Sequence, residues 1–422
     1  MKSHIKNLAE LSTTKERTDT LQIIDAGFST IDTTEAIKNK IVLSSGHLII
    51  NGKIFNLDLY KNIYIIGFGK ASSQAVGELE DILGERIKGG VVIDKNPSAC
   101  KFVDVHKGDH PRPTAENVKV SEEIIKLIKK IKDDDLVMVV VSGGGSALLC
   151  YPNSEFKQGI KLYDSFLEIG GTIKELNILR KHTSELKGGN LAKLLYPKTV
   201  ISLIFSDVPG DNFDLVASGP TYKDLSTKED AENIISKYDI KDKFSFIETP
   251  KEDIYFKNIF NTSIVSNKHA LLGMKKRAEE LGYKVKIIGD EIYDHPQIVL
   301  DKMFDEAAPN TVILAGGEPA LKVHGKLGIG GRNEYIATLA FNQIKEGQVF
   351  SSFASDGIDN LSHSSGGIID TSMKSKIENF EEELNIGLTQ NSHDEFLQKI
   401  DAQIITGPTG SNVSDLMILL QK

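Results

Sequence analysis

Apolar segments that end in glycine-rich turns recur along this chain, and they constrain its fold more than any other feature. In residues 136–150, LVMVVVSGGGSALLC, an apolar run breaks at Ser142 into three glycines and a second serine, and another apolar stretch follows. Similar Val- and Ile-rich runs alternate with amphipathic stretches over most of the 422 residues. Runs of this composition are typical of strands buried on both faces. The alternation therefore predicts an α/β fold with largely parallel sheets.

The expected elements follow from apolar periodicity and from the position of turn residues. Strands are predicted at 62–67, 90–93, 136–141, 199–205, 262–266, 284–288, 311–315, 350–354 and 403–406. Helices are predicted at 14–26, 71–83, 116–131, 157–169, 228–237, 268–281, 296–307, 333–345 and 373–384. A chain of this length exceeds one ordinary core, so two domains are expected. The charged stretch 222–260 lacks glycine turns, and it places the boundary between residues 1–258 and 259–422.

Composition excludes several classes of partner. The formal net charge of −9 argues against nucleic acid and against an anionic membrane surface. Two cysteines, Cys100 and Cys150, cannot form a disulfide framework, which favours a reducing cytoplasm. The N-terminal stretch has no apolar signal core, and no apolar run is long enough to span a membrane. The sequence leaves open whether the chain forms a homo-oligomer.

Six predicted strands end in turns of small and polar residues. These turns are GFGKAS (67–72), SGGGSA (142–147), SDVPGD (206–211), GGEPA (316–320), SDGID (355–359) and TGPTGSN (406–412). Ligands of open α/β sheets bind beyond the carboxyl ends of the strands, where small residues let the backbone approach them. Six such turns in one chain indicate a large polyanionic ligand. No G-x-x-x-x-G-K-[ST] motif is present, so the cations that accompany this ligand must come from elsewhere in the chain.

Candidate cationic and amide groups are found at three places. Lys70 lies in the first strand-to-helix turn, where its ammonium could share a phosphate with helix amides. The segment 142–146 offers consecutive amides as an anion nest, and it consists of Ser142, Gly143, Gly144, Gly145 and Ser146. Close packing of strand and helix would also explain the glycines. Arg180 and Lys187, followed by Gly188 and Gly189, would share one helical face. The alternative for that segment is a solvated charged surface.

Candidate acidic groups follow two other strands. Asp207 and Asp211 lie four residues apart in a glycine turn, a pattern that could hold Mg²⁺ or provide Asx turns and helix caps. Arg332 follows a glycine loop that suits bidentate capture of a carboxylate or phosphate. Asp356 and Asp359, with Asn412 in the last turn, complete the set. The histidines show no zinc-binding spacing.

Together these segments resemble the class II glycerate 2-kinase family, whose second domain is called MOFRL. The matching stretches occur in the expected order and span nearly the whole chain: GDHPRPT (108–114), VSGGGSALL (141–149), LRKHTSELKGGNLA (179–192), SDVPGDNFDLVASGPT (206–221), GGE (316–318), GIGGRNE (328–334), SDGID (355–359) and TGPTGSNVSDL (406–416). The aspartate loop departs from the family pattern, because Asn360 stands where glycine is usual.

The resemblance implies ATP-dependent phosphorylation of D-glycerate to 2-phosphoglycerate with a divalent cation. It implies two α/β domains, the first Rossmann-like with a mainly parallel sheet and the second a smaller MOFRL-type domain, with the active site in the cleft between them. The family's catalytic lysine and arginine map onto Lys70 and Arg332.

The resulting hypothesis distributes the ligands over the predicted turns. ATP would lie along the N-terminal glycine turns, contacting 142–146 and 187–189, and Mg²⁺ would lie near Asp207 and Asp211. The glycerate carboxylate would meet Arg332, with Arg180 as an additional contact and with Asp356 and Asn412 as further substrate contacts. Asp207 and Asp356 are the candidate bases for the hydroxyl proton.

Two other functions compete with this hypothesis. Relatives of the family have been labelled hydroxypyruvate reductases, and Gly67, Gly69 and Asp94 partly fit a dinucleotide-binding pattern. However, Lys70 lies where a nicotinamide pyrophosphate would cross the turn. The third hypothesis is a sugar-phosphate-sensing protein without catalysis, and the two aspartate pairs count against it.

Overall fold

The computed structural model describes residues 3–169, 171–210, 212–321 and 329–422, without the side chains of residues 167 and 168. The strands are β1 (Ile41–Ser44), β2 (His47–Ile50), β3 (Lys53–Asn56), β4 (Ile63–Phe68), β5 (Ile87–Asp94), β6 (Asp104–Lys107), β7 (Leu136–Ser142), β8 (Thr199–Phe205), β9 (Ile259–Val265), β10 (Lys284–Ile292), β11 (Thr311–Gly317), β12 (Gln348–Ala354), β13 (Gly366–Asp370), β14 (Gln403–Ile404) and β15 (Asp415–Gln421). The helices are α1 (Leu8–Leu11), α2 (Lys15–Ile31), α3 (Thr33–Lys40), α4 (Ser72–Leu83), α5 (Ala115–Ile128), α6 (Gly145–Leu148), α7 (Asn153–Ile169), α8 (Ile173–Thr183), α9 (Asn190–Leu195), α10 (Lys228–Lys237), α11 (Asn267–Glu280), α12 (Pro296–Asp305), α13 (Arg332–Ala340), α14 (Phe380–Thr389) and α15 (His393–Lys399).

The chain forms two compact units. The parallel-sheet unit comprises Ala36–Ser206 and Asn212–Val265, and the mixed-sheet unit comprises Met1–Glu35, Asp207–Asp211 and Ser266–Lys422. The predicted division at residue 258 differs from this arrangement, because it assigns the N-terminal segment to the first domain. Nothing local in the sequence of α2 indicates that its packing partner is α11, more than two hundred residues later.

The parallel-sheet unit is built on the strand order β6-β5-β4-β7-β8-β9, with every neighbouring pair parallel. This confirms the prediction of an α/β fold with a parallel sheet. All seven residues of β7 are buried, as its unbroken apolar sequence predicts. The chain passes from β4 outward to β5 and β6, then returns to place β7 on the other side of β4. The carboxyl ends of β4 and β7 therefore form the switch point at which open α/β sheets bind ligands.

The mixed-sheet unit has the strand order β10-β11-β15-β12-β13-β14. Only β10 and β11 are parallel among its described pairs, so the expectation of largely parallel sheets is wrong for this unit. The C-terminal strand β15 enters the centre of the sheet between β11 and β12 and was not predicted. No glycine turn follows β15, which removes the signal that identified the other strands. Among the described residues, no helix combines the length and apolar character that crossing a membrane requires.

A buried ion pair ties the N-terminal helix α2 into the mixed-sheet unit. The Arg17 side chain is 1% exposed, and its guanidinium donates a 3.0 Å hydrogen bond to the carboxylate of Asp370 at the end of β13. Arg17 also donates to the Leu11 carbonyl oxygen at 2.7 Å. Phe28 of α2 packs on Phe353 of β12, with ring centroids 5.2 Å apart. These contacts explain why residues 1–35 belong to the C-terminal half of the chain.

Replacing Arg17 by methionine should lower the free energy of unfolding of the mixed-sheet unit by about 3–5 kcal/mol, because Asp370 would stay buried without its counter-charge. Urea denaturation followed by circular dichroism measures the loss. The matched control is Lys399→Met, whose ammonium lies 2.7 Å from Glu383 on a side chain that is 51% exposed. That variant should lose less than about 1 kcal/mol. Equal losses in the two variants would contradict the anchoring role of Arg17.

Candidate active site

The turns after β4 and β7 are joined by their backbones. The amide of Lys70 donates a 2.8 Å hydrogen bond to the carbonyl oxygen of Gly143. A Cβ atom at Gly69 would lie 2.4 Å from the Ser142 carbonyl oxygen, and Gly69 has a φ of +122°. Only glycine fits this approach without displacing the neighbouring turn. The side chain of Lys70 is thereby held beside the glycines of the second turn.

Two amides of the second turn are available to a ligand. Within the described part of the chain, the backbone N–H groups of Gly143 and Gly144 donate no hydrogen bond. Gly144 has a φ of +79°, a left-handed conformation that suits glycine. Consecutive free amides in such a turn form an anion-binding nest. The other proposed members are engaged, because the Ser142 hydroxyl donates to the Lys70 carbonyl oxygen and the Ser146 hydroxyl lies 2.9 Å from that of Ser218.

Two cationic side chains near this nest lack partners in the described structure. The half-buried ammonium of Lys70 makes no hydrogen bond or ion pair with a described residue. The same holds for the half-buried guanidinium of Arg180, at the end of α8. Burial lowers the pKa of Arg180, but a guanidinium stays charged in proteins. Leaving a desolvated charge without a partner is costly, so these groups indicate a site for an anionic ligand.

His110 also faces the nest, and the sequence analysis did not identify it. A Cβ atom at Gly144 would lie 3.0 Å from the His110 ring and 3.3 Å from the Cε atom of Lys70, so both side chains meet at this glycine. Burial and three nearby cations lower the pKa of His110 to about 4. The cations are Lys70, Lys95 and Arg180. The imidazole is therefore neutral at neutral pH. The segment GDHPRPT gives no local signal for this role, because the neighbours of His110 are supplied by the turns after β4 and β7.

Lys187 is buried and makes contacts that stabilise the fold, so it is not exposed at the nest. Its ammonium is fully buried, ion-paired with Glu155, and donates to the Leu149 carbonyl oxygen at 2.6 Å. The predicted helical face from Arg180 to Lys187 is wrong, because α8 ends at Thr183. The amides of Gly188 and Gly189 are bonded to backbone carbonyl oxygens of residues 218 and 219, each at 2.9 Å. The ammonium of Lys187 and the amides of Gly188 and Gly189 are therefore already bonded to other groups of the protein.

Asp94 is not available to a ribose. Its carboxylate is fully buried and accepts hydrogen bonds from the Ser73 amide at 2.9 Å and the Ser73 hydroxyl at 2.7 Å. It therefore caps the N-terminus of α4, the place that a dinucleotide pyrophosphate would occupy. Asp94, the acidic residue of the dinucleotide-like pattern, is therefore a helix cap in this structure.

The mixed-sheet unit contains a cavity of about 360 Å³ that gathers most of the other candidates. Its lining includes Glu318, Arg332, Asp356, Asp359, Asn412 and Asp415. The Nε atom of Arg332 donates to Asp415 at 2.5 Å, while its terminal nitrogens donate to no described residue. The guanidinium is thus oriented by one carboxylate and keeps its terminal donors. Asp415 at the start of β15 was not predicted as a site residue.

Asp359 caps the helix that carries Arg332. Its carboxylate accepts a 2.8 Å hydrogen bond from the Glu334 amide and a 3.3 Å bond from the Asn333 side chain. Burial raises the pKa of Asp359 to about 7, and burial also raises the pKa of Glu318. Asp356 accepts from the Ile358 amide at 3.2 Å, as in an Asx turn. The carboxylates therefore shape the cavity as well as lining it.

Of the predicted metal pair, the structure describes Asp207. Asp211 lies outside the described residues, as does residue 328 in the glycine loop before Arg332. The carbonyl oxygen of Asp207 accepts a 2.9 Å hydrogen bond from Ser414, and the Asp207 charge contributes to the raised pKa of Glu318. Within the described ranges, no three acidic, histidine or cysteine side chains come together as metal ligands.

Comparison with known proteins gives consistent matches over nearly the whole chain. The family described as domain of unknown function DUF4147 matches residues 19–246, and the MOFRL family matches residues 311–415. A glycerate 2-kinase from Pyrococcus horikoshii is 31% identical over 95% of this chain and 96% of its own length. A D-glycerate 2-kinase from Thermotoga maritima is 31% identical over 86% of this chain and 91% of its own. The crystal structure of a glycerate kinase from Thermotoga maritima matches with a TM-score of 0.84 and 28% identity, covering 96% of this chain and 99% of that one.

The Lys187–Glu155 pair generates a stability prediction. Lys187→Met should lower the free energy of unfolding by about 3–5 kcal/mol, because the buried Glu155 carboxylate loses its counter-charge. Adding Glu155→Gln should restore most of the loss, since a neutral amide is cheaper to bury. Denaturant unfolding of both variants measures this. The control is Lys161→Met, from an exposed pair with Asp242. A stable Lys187→Met protein would show that the ammonium has no structural role.

Proposed function

This chain belongs to the class II glycerate 2-kinase family, and we propose that it transfers the γ-phosphoryl group of ATP to the C2 hydroxyl of D-glycerate, giving 2-phosphoglycerate and ADP. One observation carries the proposal at the level of residues. Two free amides and the ammonium of Lys70 meet at the switch point of the parallel sheet, and the charge of Arg180 acts on His110 beside them; neither cation has a partner among the described residues. Phosphoryl transfer requires positioning and charge stabilisation of this kind and little covalent chemistry from the protein.

The amides of Gly143 and Gly144 and the ammonium of Lys70 would hold the phosphates of ATP. Both amides are free to donate, and the Lys70 side chain passes beside Gly144. In a P-loop, a lysine of the glycine loop itself supplies the cation. Here the ammonium of Lys70 supplies it from the turn after the adjacent strand. Because the chain as a whole is acidic, with a net charge of −9, this local positive charge is what attracts an anion.

Arg180 would hold the carboxylate of glycerate. A guanidinium presents parallel donors that match the two oxygens of a carboxylate. Its half-buried, unpaired state suits a ligand that completes the ion pair. Arg332 remains a candidate for a second anionic contact, since its terminal nitrogens are free of described partners. Asp356 and Asn412, which line the same cavity as Arg332, remain candidates for substrate hydroxyl groups.

Mg²⁺ is part of the proposal, with Asp207 as the protein ligand on the described chain. Nucleotide-bound Mg²⁺ takes one or two carboxylates and completes its shell with phosphate oxygens and water, so a cluster of three protein ligands is not required. When bound, the ion neutralises charge on the transferring phosphoryl group. Asp207 contributes negative charge beside Glu318, which favours a nearby cation.

The competing hydride-transfer function fits the first turn poorly. Gly69 packs against the Ser142 backbone and Asp94 caps α4, so both elements of the dinucleotide-like pattern have structural roles. A cytoplasmic location is part of the proposal and is supported by the free thiols of Cys100 and Cys150.

The product should be 2-phosphoglycerate. Incubating the protein with D-glycerate and Mg-ATP, then adding enolase without phosphoglycerate mutase, should yield phosphoenolpyruvate, which is detected by its ultraviolet absorbance. A reaction without ATP serves as the control. ADP release without phosphoenolpyruvate would reject the assignment to the C2 hydroxyl, and consumption of NADPH with hydroxypyruvate would favour the reductase.

Lys70→Met should lower kcat on the order of 10²–10³-fold, because the ammonium would stabilise charge on the transferring phosphoryl group. Methionine keeps an unbranched apolar side chain, so the turn should fold normally. The matched control is Lys88→Met, an exposed lysine on the neighbouring strand β5, which should keep wild-type kcat. Steady-state kinetics at saturating ATP and glycerate measure both. A Lys70→Met enzyme with more than about a tenth of wild-type kcat would remove Lys70 from catalysis.

A further inference from the structure

His110 lies beside Lys70, and it feels the charge of both cations that the proposed function assigns to different ligands. Its ring approaches Gly144 alongside the Lys70 side chain, and the charges of Lys70 and Arg180 both act on it. The imidazole is half-buried, and its nitrogens form no hydrogen bond with a described residue. A polar ring that is held in a nest of amides and cations without a protein partner is available to a ligand.

The chemistry of glycerate keeps its C2 hydroxyl close to the group that binds its carboxylate. The hydroxyl-bearing carbon is bonded directly to the carboxylate carbon, so a carboxylate held by Arg180 brings the hydroxyl within a few ångströms of that guanidinium. The same hydroxyl must approach the phosphoryl group held by Lys70. A group that both cations influence is therefore well placed to reach the hydroxyl.

We propose that His110 is a catalytic residue, the base that accepts the proton of the C2 hydroxyl during phosphoryl transfer. This role rests on the proposed function. In the step, the hydroxyl O–H bond breaks and its proton passes to a ring nitrogen of His110. The oxygen forms a bond to the γ-phosphorus, the bond from that phosphorus to the β,γ-bridging oxygen breaks, and ADP leaves with the electron pair. The proton on His110 is then released to solvent.

The charges around His110 keep it ready to accept a proton. The charged groups that act on the ring come from the β4–α4 turn, the segment after β5 and α8, and all are cations: Lys70, Lys95 and Arg180. Burial and these cations together favour the neutral imidazole in the free enzyme, with a pKa of about 4. Bound phosphates offset these positive charges, so the pKa should rise when ATP binds. A base whose pKa moves toward neutrality in the complex is a stronger proton acceptor.

The predicted bases Asp207 and Asp356 become the alternatives in the test. No carboxylate is among the described charged groups that shift the pKa of His110, so the ring does not act through an acidic partner. His110 is therefore expected to contact the hydroxyl directly. A residue that only positions another base would leave the acid limb of the pH profile in place.

The kinetic experiment compares wild type with His110→Gln and His110→Ala. Glutamine keeps a neutral polar head but cannot accept the proton, so kcat should fall on the order of 10²–10⁴-fold. In the wild type, kcat should decline as the pH falls through the pKa of His110 in the ATP complex, and this limb should be absent from His110→Gln. Added imidazole should restore part of the activity of His110→Ala. The control is His47→Gln, an exposed histidine of β2, which should behave as wild type.

A second measurement does not depend on turnover. The His110 ring signals, followed by NMR, should titrate at higher pH when a non-hydrolysable ATP analogue is bound than in the free enzyme. An unchanged midpoint would overturn the placement of the ring beside the phosphates. His110→Gln with more than about a tenth of wild-type kcat, or with an unchanged acid limb, would overturn the catalytic role. If wild type itself fails to phosphorylate glycerate, the proposed function fails, and the NMR result still reports whether His110 faces bound phosphate.

Discussion

The close contact between the backbones of Gly69 and Ser142 is the constraint on which the rest of the proposed site depends. It holds the turns after β4 and β7 together at the centre of the parallel sheet, where the Lys70 amide bonds to the Gly143 carbonyl oxygen. A larger residue at position 69 would separate the turns. Because the turns are joined, the ammonium of Lys70 after β4 lies beside the free amides after β7. The cation therefore need not come from the glycine loop itself.

The cations that we propose bind ligands differ from the structural cations in whether the described residues give them a partner. Lys187 and Arg17 are fully buried and paired with Glu155 and Asp370, so their charges are already balanced. Lys70 and Arg180 are half-buried and have no partner among the described residues. Burying an unpaired charge opposes folding, and a protein keeps such groups where a ligand balances them. The sequence cannot make this distinction, because all four residues are simply cations in an acidic chain.

The parallel sheet and its glycine turns were predictable because buried strands and tight turns leave local signals, as in 136–150. The mixed sheet was less predictable, since β15 reaches its centre from the C-terminus and pairs with strands that are distant in sequence. Lys70 and Gly143–Gly144 could be identified from turn chemistry. His110, Asp415 and Glu155 could not, because their importance comes from neighbours supplied by other elements. The helical face from Arg180 to Lys187 failed for a related reason, as α8 ends between them.

Burial keeps His110 neutral, and so do the cations that we propose bind the substrates. Cations at a nucleotide site stabilise phosphate and lower the proton affinity of any base beside them. A carboxylate near those cations would form ion pairs with them and weaken their hold on ATP. An imidazole avoids this competition, because its neutral form accepts a proton without presenting a negative charge. When ATP binds, its phosphate charge offsets the cations, and they then lower the pKa of His110 less. Substrate binding and the strength of the base are thus linked through Lys70 and Arg180, and a site that must bind two anions gains a base that becomes stronger once they are present.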